Sequence, residues 1–209
     1  MQNIQVKVWS LTSYIKNLND FVVSGFIEGN YNHIGATITD AILQAGLRYE
    51  TVVRPRVDKI KKYPEAKTTT GFSNFFKKEG LDKLLNWTNR EKLSRIENVT
   101  EFFIKEQIET QEDLKKWLSA DDNVERLKEL RGIGDKTVDY FKILVGIPAS
   151  AIDRHLMNFL RQAGVEAGGY HEAKEIIDGA ADNLNIDRSK FDYSIWKYMS
   201  DKSKNKRRG

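Results

Sequence analysis

The chain has 209 residues, 40% hydrophobic and 31% charged, with a net charge of +4, which is the make-up of one folded domain or two small ones rather than a disordered polymer. It contains no cysteine, so disulfides, thiol nucleophiles, zinc ribbons and cysteine-held iron–sulfur clusters are excluded. No apolar run approaches the roughly 18 residues of a membrane span, and the opening MQNIQVKVWS lacks a signal-peptide core, so the expected location is the cytoplasm.

Charge is unevenly placed. Residues 201–209, DKSKNKRRG, hold five basic groups and one acid, a net of +4 that equals the whole chain's +4, so residues 1–200 are neutral overall. A nucleic-acid surface must then be a local patch, with a basic and disordered tail at 201–209. From Arg48 to Lys67 there are seven Lys/Arg and three acids, which suits either a solvated helix face or one turned to DNA.

The pattern is helical along nearly the whole length, and the expected class is all-α. Ile4, Val6 and Val8 alternate like a strand without an obvious partner. Leu11, Tyr14, Ile15, Leu18 and Val22 recur at helical spacing up to Gly25 and Gly29. Ile34 to Leu47 is long enough for a buried helix, and Pro55 suits the first turn of a third that stops before Pro64. Ser73 and Leu81 open two short segments, and Leu93, Ile96, Val99, Phe102 and Phe103 mark a longer amphipathic helix. Thr110 with Asp113 forms a capping box for a helix holding Leu114, Trp117 and Leu118.

Residues 124–164 carry the most information. Val124, Leu127 and Leu130 give one helix face, Arg131-Gly132-Ile133-Gly134 breaks it, and Lys136 to Val145 resumes a helix. The two glycines allow backbone angles closed to other residues and a close main-chain approach. Unpaired amides at the positive end of the second helix make a phosphate oxygen a natural ligand, although such a hairpin is also an ordinary tight turn. A P-loop is excluded because Asp135 separates the glycine from the lysine. A dinucleotide fingerprint is excluded because Thr137 stands where its third glycine belongs and a helix precedes it. A loop with Gly146 and Pro148 then leads to Ile152-Asp153-Arg154-His155 and an apolar helix ending at Gly164. Asp153 stands where an N-cap aspartate belongs, and Lys136 taken alone is an ordinary helix lysine.

Taken together, LRGIGDKT followed seventeen residues after Lys136 by the aspartate of AIDRH resembles the helix-hairpin-helix/GPD DNA glycosylases of the endonuclease III type. Weaker similarity in AILQAGLRYETVVRPRVDKI, EKLSRIENVTEFFI and FDYSIWKY extends the resemblance over most of 34–198. It implies an all-α, two-lobed protein. A six-helix barrel lobe would span 32–148, with the helix-hairpin-helix at about 124–145, and residues 1–31 with 149–200 would form the other lobe, the base pocket lying between them. Lys136 and Asp153 fall on the family's catalytic lysine and aspartate, and a lysine at that place implies a bifunctional enzyme that removes a base and nicks the strand. The resemblance also implies DNA contacts from Arg131, Gly132, Gly134, Thr137 and His155, and a wedge from Gln44, Arg48 and Tyr49. Asp192 and Trp196 would line the base pocket, a place Trp196 shares with a core reading.

The cluster cysteines of endonuclease III are missing, which is more similar to the 8-oxoguanine branch and leaves the C-terminal end to packing by Ile195, Trp196 and Tyr198. The implied partner is double-stranded DNA carrying a damaged or modified base, bound by a monomer with no membrane association. The implied cofactor is none, apart from room for a monovalent cation at the hairpin. Breaking an N-glycosidic bond builds positive charge on the sugar, which an ionised Asp153 would stabilise, while an unprotonated Lys136 attacks C1′ of a nucleotide flipped from the duplex. The alternative is a non-catalytic helix-hairpin-helix DNA-binding protein, which needs neither Lys136 nor Asp153.

Overall fold

The computed structural model describes residues 3–25, 27 and 29–205, and every regular element among them is helical. The chain divides into two units, Met1–Glu28 with Pro148–Gly209, and Gly29–Ile147.

In the first unit, α1 (Ile4–Lys16) is followed by α10 (Arg154–Gln162), α11 (Tyr170–Asn183) and α12 (Arg188–Asn205), with α2 to α9 supplied by the other unit. The alternating Ile4, Val6 and Val8 lie at the start of α1, capped by the Asn3 side chain on the Gln5 amide at 3.1 Å. Three alternating apolar residues fit either period. What decides is the longer row Val8, Leu11, Thr12 and Ile15, which α1 buries at helical spacing. Gly179 of α11 lets the two helices approach, since a Cβ there would lie 2.9 Å from Val8 Cγ2. The helix ends at Lys16 rather than near Gly25, and Val22, expected on its buried face, is 77% exposed.

Leu11, Phe159, Ile176, Phe191 and Ile195 fill this unit's core. Tyr198 packs edge-on against Phe159 and Phe21 with centroids 5.8 and 5.6 Å apart, while Trp196 is only partly buried beside them. Helix α12 carries on through Asp201–Asn205, so the segment expected to be disordered from 201 is helical there. Residues 206–209 of that expected tail lie outside the described residues.

The second unit holds α2 (Ile34–Leu43), a π-helical turn (Tyr49–Val53), α3 (Arg54–Ile60), a 3-10 turn (Pro64–Lys67), α4 (Thr69–Glu79), α5 (Leu81–Leu85), α6 (Arg90–Lys105), α7 (Gln111–Trp117), α8 (Asp121–Lys128) and α9 (Asp135–Leu144). Local chemistry sets many of the ends. Thr110 and Asp113 make the reciprocal capping box their spacing predicts. Asn89 accepts from the Lys92 amide at 3.0 Å to start α6. His33 starts α2 with an imidazole: Nδ1 accepts from the Ala36 amide at 3.2 Å and Nε2 lies 3.1 Å from the Tyr63 carbonyl. Burial lowers the His33 pKa, which keeps the neutral ring this pair of roles requires.

All ten residues of α2 are buried, and it packs against α3, α4, α6, α9 and the 3-10 turn. Thr39 is satisfied within the helix, its Oγ1 donating to the Gly35 carbonyl at 2.7 Å, while Thr37 and Asp40 also reach groups outside it. Thr37 Oγ1 donates to Gln111 Oε1 at 3.0 Å. Asp40, with no exposure at all, accepts from the phenols of Tyr31 at 2.6 Å, Tyr49 at 3.3 Å and Tyr140 at 3.3 Å. A buried carboxylate is tolerated only with such donors.

Replacing Tyr31 by Phe removes a hydrogen bond to this buried carboxylate. The expected loss is about 1.5–3 kcal/mol of unfolding free energy at neutral pH, measured by denaturant melting. Burial, then Asp40, raises the Tyr31 phenol above its usual value of 10. Above pH 10 the unfolded chain gives up a proton that the folded chain keeps. The contribution of Tyr31 is thus complete below that pH and declines above it, and the gap between wild type and Tyr31→Phe should close as the solution is made more alkaline.

Candidate nucleic-acid interface and catalytic residues

Helices α8 and α9 are joined by Glu129 to Gly134. Gly132 takes φ +83°, a left-handed angle that favours glycine, and a Cβ there would overlap the Arg95 guanidinium. Gly134 is extended and has open space around it. It is the N-cap of α9 and offers no side-chain cap, so the first amides of that helix are left to an outside acceptor. Ile133 is buried and anchors the turn, its amide donating to the Leu130 carbonyl at 3.0 Å. Asp135, in the first turn of α9, pairs with Lys128 of α8 at 2.7 Å, which offsets a negative charge where an anion would sit.

Lys136 is half-buried, and its amine lies 3.4 Å from Gln44 Oε1 at the end of α2. The hairpin lysine and a residue of the expected wedge are thereby brought together within one unit. Lys92 of α6 reaches the same corner, donating to the carbonyls of Ile42 at 2.6 Å and Ala45 at 2.9 Å. Its burial, then the charges of Arg95 and Lys136, lower its amine to about 8. Neither Lys92 nor Arg95 stands out in EKLSRIENVTEFFI, because a lysine in an amphipathic helix reads as solvated until its distant partner is known.

Arg131 and Arg48 are exposed. The other expected contacts are more enclosed. Thr137 is buried, and the Tyr49 phenol is engaged with Asp40 and Tyr31. Several cations of the 48–67 run are held within the unit: Arg56 lies over the Trp87 ring at 4.5 Å and donates to the Val52 carbonyl at 2.6 Å. Lys61 lies over Tyr31 at 5.1 Å.

In the first unit, Asp153 caps α10. Its Oδ1 accepts from the amides of His155 at 2.7 Å and Leu156 at 3.1 Å, leaving Oδ2 without a partner among the described residues. His155 meets Trp196 edge-on at 6.3 Å, and Trp196 stacks on Tyr193 at 5.8 Å. Tyr193 was not singled out from the sequence, where nothing distinguishes it from a packing residue. Asp192 accepts from the Ala151 amide at 2.8 Å, so it fixes the chain just before Asp153.

Residues 11–200 match the model of a family described as a domain of unknown function, DUF8548. The chain belongs to that family. No curated protein sequence matches this DUF8548 chain. Among solved structures, it is similar to H. pylori 3-methyladenine DNA glycosylase (MagIII) bound to 1,N6-ethenoadenine. The TM-score is 0.63 at 17% identity, over 97% of this chain and 99% of the other. The DUF8548 chain thus has the all-helical fold seen in that glycosylase.

The two hairpin glycines should respond differently to substitution. Gly132→Ala is expected to lower stability by about 1–2 kcal/mol from the left-handed angle alone, with the overlap on Arg95 adding to it. Gly134→Ser should be neutral or stabilising by about a few tenths of a kcal/mol, since serine is a somewhat better N-cap than glycine in extended backbone. Thermal melting of the two variants side by side checks the hairpin geometry.

Proposed function

We propose that this protein is a base-excision DNA glycosylase with AP-lyase activity, using Lys136 as nucleophile and Asp153 as the stabilising carboxylate. The observation that carries the reading is the Lys136 amine, half-buried next to the glycine hairpin and held by Gln44 Oε1 at 3.4 Å. The fold shared with a DNA glycosylase supports it, as does the LRGIGDKT and AIDRH resemblance.

In the proposed reaction the duplex is gripped through phosphates by the hairpin amides and by Arg131. The target nucleotide leaves the stack, at a cost of a few kcal/mol that is least for a damaged pair. As the glycosidic bond to the base stretches, positive charge grows on the sugar, and an ionised Asp153 stabilises it. Its two oxygens divide the work: Oδ1 caps α10, and Oδ2 is available to the sugar. The unprotonated Lys136 amine forms a bond to C1′ as the base departs with the glycosidic electron pair and takes up a proton. Ring opening gives the Schiff base. Loss of a C2′ proton and of the 3′ phosphate by β-elimination then nicks the strand.

The proposed partner is duplex DNA with a damaged base, bound by a monomer. Incubation with duplexes carrying ethenoadenine, alkylated adenine or 8-oxoguanine should give nicked product with at least one of them. Borohydride should trap a covalent adduct, and Lys136→Gln should abolish trapping. Asp153→Asn keeps an oxygen for the cap, so melting should change by no more than about 1 kcal/mol, while base release under single-turnover conditions falls by roughly 10²–10³. Tight duplex binding with no base release from any substrate would instead leave a non-catalytic DNA-binding protein. Base release without trapping would leave a glycosylase that lacks the lyase step.

A further inference from the structure

Three groups of atoms meet at the C-terminal end of α2, and only two of them belong to residues with a role assigned above. Gln44 Oε1 accepts from the Lys136 amine at 3.4 Å, while the Gln44 Nε2 is buried without a hydrogen-bond partner. On either side of Gln44 in the chain, the carbonyls of Ile42 and Ala45 both accept from the Lys92 amine, at 2.6 and 2.9 Å. Helix α2 has no basic residue in its last turn. The last carbonyls of a helix need donors and favour a cation, and here the donor comes from a different helix fifty residues away. We propose that Lys92 is a positioning residue for Lys136: by tying down the carbonyls on both sides of Gln44, it holds the Gln44 side-chain oxygen against the Lys136 amine.

The placement is selective in three ways. Lys92 is the third residue of α6, whose start is pinned by Asn89, so its stem leaves a rigid point. The amine meets two carbonyl oxygens and no carboxylate. A neutral amine still has two N–H groups, one for each carbonyl, so the clamp survives loss of the proton near the lowered value of about 8. Gln44, in turn, has little freedom to find another position for its oxygen, because its Nε2 is enclosed. Displacing a reacting group by about 1 Å costs on the order of 10²-fold in rate, so a residue that touches neither DNA nor the reacting atoms can still control the reaction. The functional half of this inference rests on Lys136 being the nucleophile.

The test uses the full chain with Lys92→Met and Lys92→Arg, and three readouts. The first is the side-chain amide resonance of Gln44 in ¹⁵N-labelled protein, which needs no activity. The second is the single-turnover rate of borohydride trapping on a duplex with an abasic site. The third is affinity for a duplex carrying a tetrahydrofuran abasic analogue. Lys92→Met should move the Gln44 resonance to the position of a free side chain and slow trapping by about 10- to 100-fold, with affinity within about 2-fold. Lys92→Arg, which keeps donors for both carbonyls, should restore the resonance and most of the rate.

An unchanged Gln44 resonance in Lys92→Met overturns the clamp. Trapping and affinity that fall together with the melting temperature, without rescue by arginine, overturn the positioning role in favour of a structural one. If the wild-type protein traps nothing on any duplex, the nucleophile assignment is what fails. The positioning role falls with it, and the Gln44 resonance still decides whether the clamp exists.

Discussion

A carboxylate with no exposure to water sits near the middle of α2, and much of the unit from Gly29 to Ile147 is arranged around it. Asp40 would be costly to bury alone, because a buried polar group without hydrogen-bond partners forfeits its hydration with nothing in return. Its donors come from three separate places: Tyr31 before α2, Tyr49 in the π-helical turn, and Tyr140 in α9. One anion thereby fixes the approach to α2, the turn that follows it and the helix that carries the hairpin lysine. The wide π-helical turn fits this demand, because it starts at the residue whose phenol turns inward to Asp40.

The same contact sets the geometry of the candidate nucleophile. Asp40 and Gln44 are four residues apart on α2, as are Tyr140 and Lys136 on α9, so each pair lies on one helix face. Asp40 meets Tyr140 while Gln44 meets Lys136, and the two helices run past each other in opposite senses at this point. A hydrogen bond deep in the unit and one near its surface are thus two rungs of a single ladder. Lys92 closes the ladder at its outer end by satisfying the carbonyls that α2 leaves open.

In the other unit the economy is of a different kind. Asp153 uses one oxygen for two backbone amides, which holds its carboxylate in a single orientation. Asp192 holds the backbone of Ala151 just upstream. Capping and the proposed chemical role therefore do not compete for the same atom. The stacked Tyr193 and Trp196, with His155 edge-on to the indole, place a flat aromatic surface close to the N-terminus of α10.

The sequence by itself determined whatever depends on neighbours a few residues apart. The Thr110–Asp113 box, the Asp153 cap, the break at Gly132 and the run of helices all follow from i to i+4 chemistry, and the hairpin with its following aspartate was legible as a unit. It left Ile4–Val8 open because three residues cannot separate a period of 2 from one of 3.6, and it began disorder at 201 because charge alone does not end a helix. Tertiary structure decided which polar groups face each other. Lys92 and the carbonyls it ties are about fifty residues apart, Tyr140 is one hundred residues from Asp40, and Arg95 meets Gly132 only because α6 passes the hairpin. No local pattern marks those residues, since the desolvation that makes each contact matter exists only after the helices have packed.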